Sequence, residues 1–167
     1  MNRLIFMHVT NSINLFLGMS SGELSCLADS TTTHTILRER HYFTNFIPKK
    51  THLTTLSSSS NLIEGYGKAR IMLSNGTILT IMEVLYSPRS GRTLLSFRDI
   101  RDNQYHIETT EDNGSDFLCI TSYEYGQKRI HEKLEGLPNG LYITTIRGIE
   151  AHSVANPMPE FQDTLLL

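Results

Sequence analysis

The 167-residue chain has no tryptophan, only two cysteines and only five prolines. It also has no large excess of charge of either sign. Formal net charge is -2 and the isoelectric point is near 6.4. A dedicated nucleic-acid binder would carry a basic face, so this balance argues against one. Lys49-Lys50 and Lys128-Arg129 are isolated pairs, read as solvated strand ends. Cys26 and Cys119 sit far apart among apolar neighbours, which suits buried thiols rather than a disulfide. Neither has a second cysteine or a close histidine pair beside it, so no metal site and no cofactor is expected. No run of about twenty apolar residues is present, as a membrane-spanning helix would need. The opening "MNRLIFMHVTNSINLFLGMSSGE" is interrupted by His8, Thr10, Asn11, Ser12 and Asn14, and so lacks a clean signal-peptide core. The expectation is a cytoplasmic protein with an irregular leader over residues 1–23 and no membrane partner.

What is present is period-two patterning and turn signals. Hydrophobic residues make up 39% of the chain, enough for a core in one domain of this length. Leu24–Ala28 reads as a short buried strand. Tyr42-Phe43 and Phe46-Ile47 are expected to flank a loop, His52–Leu56 to form a strand, and Ser57–Ser60 to form a mobile surface loop. Ala69, Ile71 and Leu73 alternate toward Asn75-Gly76, where both residues are expected to take positive φ, and Thr77–Tyr86 returns as far as Pro88. Leu94–Asn103 is the one expected helix, with Leu94, Leu95, Phe97 and Ile100 inward and Arg98, Asp99, Arg101 and Asp102 wet. A second hairpin should turn at Asp112-Asn113-Gly114. A third should join Lys128–His131 to Leu141–Ile143 through Pro138-Asn139-Gly140. The fold class is therefore mainly β, a small antiparallel barrel over residues 24–147 with one short helix and disordered termini, including a tail over residues 148–167.

The candidate chemistry sits in "CLADSTTTHTIL", where Asp29 follows a buried run and precedes a crowd of hydroxyls. Two carboxylates at contact share one proton, so that one acts as base on a water and the other as acid. The chain has one such motif, so a dyad would need two copies related by a twofold axis. Asp-Ser-Thr after a strand is also an ordinary turn or helix cap.

From Cys26 to about His152 the chain resembles the retropepsin-like barrel of copia-type LTR-retrotransposon Gag-Pol polyproteins, especially those of plant elements. The carrying stretches are "LADSTTTHTIL", "LIEGYGKARIMLSNG", "EVLYSPRSGRTLLSFRDI" and "YHIETTEDNGSDFLCITS". The resemblance implies an aspartic endopeptidase that works as a homodimer on Gag-Pol polyprotein segments. Asp29 would be its catalytic carboxylate and Ser30 the hydroxyl tying the two active-site loops together. Gly65-Tyr66-Gly67 would be the start of a mobile flap, or glycines relieving crowding in a bent strand. His34 matches the family and is taken as structural. Two positions depart from the pattern. Thr31 stands where the family has glycine, and Thr93 stands where it has asparagine. A stiff β-branched residue at position 31 is expected to strain the loop and to impair activity. No zinc knuckle precedes Asp29 and no integrase zinc module follows Leu141, so the chain reads as a piece of a larger polyprotein. Three readings stand: an endopeptidase, a non-catalytic barrel, and an interaction module using an exposed strand edge.

Overall fold

The computed structural model describes residues 22–53 and 61–149. Ten strands and one short helix account for most of them. The order is β1 (Leu24–Asp29), β2 (Ile36–Leu37), a 3₁₀ turn (Arg40–Tyr42), β3 (Phe43–Leu53), β4 (Asn61–Leu73), β5 (Ile78–Tyr86) and β6 (Leu94–Ser96). Then come α1 (Phe97–Asp102), β7 (His106–Asp112), β8 (Ser115–Glu124), β9 (Gln127–Gly136) and β10 (Tyr142–Gly148).

Strand pairing closes on itself. The sheet runs β3-β4-β5-β2-β6-β1-β10-β9-β8-β7, and an additional β4–β10 ladder joins its middle. Six strands thus form a ring, β4-β5-β2-β6-β1-β10, from which β3 extends at one side and β9-β8-β7 at the other. Most neighbours are antiparallel, but β1 with β6 and β2 with β5 are parallel. Ile71, Leu79, Leu95, Leu118, Ile120 and Ile146 of the strands and Ile100 of α1 are completely or almost completely buried. Both cysteines are free and buried, as their apolar neighbours suggested. Burial pushes the Cys26 thiol well above its ordinary ionisation range, and burial, with the charge of Glu108, raises that of Cys119.

Turn chemistry sets the registers. At 73–77 the Gly76 N–H donates to Leu73 O and the Leu73 N–H to Thr77 O, and only Gly76 has positive φ, 95°. This is a three-residue loop ending in a glycine bulge, so Asn75 does not take the left-handed conformation expected of it. Leu137–Leu141 repeats the same bonding with Gly140 at φ 79°.

Other expectations are corrected. Phe43 to Leu53 is one continuous strand rather than a loop between two aromatic pairs, and register shifts at Phe43/Asn45 and Pro48/Thr51 absorb its irregularity. Leu94–Ser96 is strand, because the chain there completes a parallel ladder with Leu27–Asp29, and only six residues from Phe97 are helical. Lys128–Ile130 pairs with Thr121–Tyr123 of β8, through a tight turn at Tyr125-Gly126. Only Glu135 and Gly136 meet β10. The expected strand end at 54–56, the serine run 57–60 and most of the expected leader and tail lie outside the described residues.

Candidate functional site

Asp29 ends β1, the strand that lies between β10 and β6. Its Cα is in register with Ser96, the residue that opens α1. Cys26, Leu27 and Ala28 are buried, Asp29 is half-buried, and Ser30 and Thr31 are exposed. A buried strand therefore delivers one carboxylate to the surface, at the N-terminal end of the helix.

The hydroxyls behind it divide into two groups. Thr31 serves Asp29: its N–H and its Oγ1 both donate to Asp29 Oδ1, each at 2.8 Å. An oxygen with two lone pairs is thereby occupied from within the loop. Thr31 is also absent from the positive-φ residues, which besides glycines are Gln104, Asn113 and Tyr125. Left-handed backbone, one source of the strain expected at position 31, is therefore not found there.

Thr35 serves a second carboxylate. Its N–H and Oγ1 donate to Asp99 Oδ2 at 2.9 and 2.7 Å, and its Oγ1 accepts from the Ser96 N–H at 3.1 Å. Ser96 Oγ donates to Thr32 O and accepts the Arg98 N–H, capping α1. Arg98 reaches Asp99 Oδ1 at 3.4 Å. Asp99 is 4% exposed, so its expected wet position is wrong. Sequence reasoning missed it as the post that pins the loop, although Ser96-Phe97-Arg98-Asp99 has the serine-to-acid spacing of a helix start. His34 is half-buried, with Nδ1 beside Thr33 Oγ1 at 2.9 Å and Nε2 3.9 Å from Glu83.

Gly65-Tyr66-Gly67 lies inside β4, paired with Pro48, Ile47 and Phe46 of β3 and with Tyr86, Leu85 and Val84 of β5. A Cβ on Gly65 would collide with the Phe46 ring, and one on Gly67 with the Asn45 carbonyl. Phe46 packs edge-on against Phe43 and Tyr86, and the Arg40 guanidinium lies 3.9 Å above its ring centre. The structure brings Asp29, Ser30 and Thr31 into one exposed loop, with 65–67 in the β3–β4–β5 wall.

A second buried carboxylate lies elsewhere. Glu132 of β9 accepts from the N–H groups of Asn75 and Thr77 and from Ser74 Oγ. It clamps the β4–β5 turn to the outer strands. Among the described residues no group of three or more His, Cys, Asp or Glu is placed to hold a metal ion, and no helix is long and apolar enough to cross a membrane.

Residues 26–105 match the family described as Pol polyprotein, beta-barrel domain. The matched stretch covers just under half of the chain, from the strand that carries Asp29 to the end of α1, and is similar to a β-barrel domain associated with the Pol polyprotein of retrotransposons. It includes Asp29, Thr35, Ser96 and Asp99, and excludes β7–β10. No curated protein matches the chain.

Proposed function

We propose that this chain is a Pol-type β-barrel that acts without catalysis, as a protein-interaction module within or derived from a Gag-Pol polyprotein. The observation that carries this reading is the state of Asp29. Both donors of Thr31 fall on Oδ1, so the loop holds the carboxylate from within and occupies one of the two oxygens that a second carboxylate could reach. The hydroxyl run in the sequence then serves to close a loop and to anchor it on Asp99. The copia-type, plant-element kinship and the cytoplasmic setting belong to this proposal.

A second reading is an aspartic endopeptidase with Asp29 catalytic, Ser30 bridging the two loops of a homodimer, Gag-Pol segments as substrate and a flap starting at Gly65-Tyr66-Gly67. One placement favours it. Asp29 emerges at the end of a ring strand, beside the parallel β6, and stays accessible. Purified chain incubated with a Gag-Pol segment at mildly acidic pH separates the two. The non-catalytic reading expects no cleavage that Asp29→Asn abolishes, and such cleavage would overturn it in favour of the endopeptidase.

A further inference from the structure

The ten-stranded sheet has two edges, and they are built differently. β3 carries Pro48, Lys49 and Lys50 and two register shifts along its ladder with β4. These are the devices that keep an edge from pairing with another chain. β7 lacks the proline, the lysines and the register shifts, and its own charges are Glu108, Glu111 and Asp112. Its seven residues, His106–Asp112, contain no proline and pair with β8 in unbroken register. Its last four residues are exposed.

The turn at its end fixes which groups face outward. Asn113 and Gly114 have φ of 52° and 77°, the tight two-residue hairpin turn with both central residues left-handed. The residues flanking such a turn, Asp112 and Ser115, form a hydrogen-bonded pair, and the pattern alternates from there. The N–H and C=O of Ile107, Thr109 and Glu111 therefore point away from β8, and among the described residues β8 is the only strand that β7 pairs with.

We infer that this edge pairs with the β7 of a second copy, antiparallel about a twofold axis through Thr109. The sequence is complementary to itself in that register. Thr109 meets Thr109, Ile107 meets Glu111, Glu108 meets Thr110 and His106 meets Asp112, so no carboxylate faces another directly. Glu108 and Asp112 are further balanced by Lys128 at 2.7 Å and Lys133 at 2.9 Å within the same copy. Three outward residues per strand give roughly six inter-chain hydrogen bonds. The paired edges join β9-β8-β7 of each copy into one six-stranded sheet. This inference rests on the interaction reading, names a second copy as the partner, and places the twofold axis on β7 instead of at Asp29.

Sedimentation equilibrium of the full chain over a wide concentration range tests it. Wild type should rise from monomer to dimer mass. Thr109→Pro should weaken association roughly tenfold or more, while leaving the fold intact, because the lost N–H points to the open edge and not to β8. His106→Glu should also weaken it, and His106→Glu combined with Asp112→Lys should restore it. Circular dichroism checks folding, and if Thr109→Pro unfolds, the charge-swap pair decides. A chain that is monomeric throughout overturns the inference. So does a dimer that neither change weakens, or one that Asp29→Asn disrupts while Thr109→Pro does not. The last outcome would return the axis to the active-site loop, and a β7 dimer with Asp29-dependent cleavage would overturn only the non-catalytic reading.

Discussion

Asp29 stands half-exposed at the end of a buried strand and takes its two hydrogen bonds from Thr31, two residues away. Asp99 is buried and takes its bonds from Thr35, 64 positions earlier in the chain, and from Arg98. The two carboxylates lie on the same threonine-rich loop's horizon but do different work. One joins distant segments and so belongs to the fold. The other closes a local turn, and the fold does not depend on it. A carboxylate that the fold does not need is free to serve recognition or chemistry, or to serve neither.

The widest expected gap is between Asp99→Ala and Asp29→Ala. Removing Asp99 strands a buried N–H and a buried hydroxyl of Thr35, and should cost about 3 kcal/mol in urea unfolding. Asp29→Ala should stay within about 1 kcal/mol, because its donors are exposed and water replaces it. Equal losses would break the comparison. A narrower test uses the threonines themselves. Thr35→Val removes a hydroxyl that donates to Asp99 and accepts from Ser96, and should cost about 2 kcal/mol. Thr31→Val, on an exposed loop, should change stability by about 0.5 kcal/mol or less.

A further effect appears only in alkali. Burial, and then the charge of Glu39, push the Tyr42 phenol up from 10.0 to about 12. A raised pKa in the folded state means that the neutral phenol's contribution is whole below pH 10 and is lost as pH climbs toward 12. Unfolding midpoints should fall across that window, and Tyr42→Phe should flatten the fall. A slope unchanged in Tyr42→Phe would assign the alkaline loss to other groups.

Strands were legible where period two met a glycine turn, as in Ala69–Tyr86 and in the hairpin across Asn113-Gly114. The Tyr125-Gly126 turn was not, because tyrosine seldom takes φ near 52° and nothing in composition marks it. Leu94-Leu95-Ser96 read as helix because Leu94, Leu95, Phe97 and Ile100 fit a helical face. The β1 ladder claims the first three residues, and local periodicity has no view of a partner strand some 67 positions earlier. The loop at Asp29 was visible from its residue types. Its anchorage was not, since Asp99 looks like any acid in a short helix until Thr35 is brought against it. Glu132 likewise reads as surface charge, and only tertiary contact with the Ser74–Thr77 turn makes it a clamp. At Gly65 and Gly67 the sequence left open whether the glycines bring freedom or relieve crowding. The Phe46 ring and the Asn45 carbonyl supply a packing reason for both.

The ring of strands also has a consequence in time. β1 lies at residues 24–29 and one of its two neighbours, β10, at 142–148. β10 also supplies the ladder to β4 that closes the circle. A ribosome emits β1 more than a hundred residues before the strand that covers it, so the edge that carries Asp29 stays open while the strands between them are made. Contacts of such long sequence separation form late and slowly. Taken by their pairing order alone, the strands of the stretch 26–105 make an arc with β1 at its rim, which only β10 turns into a ring.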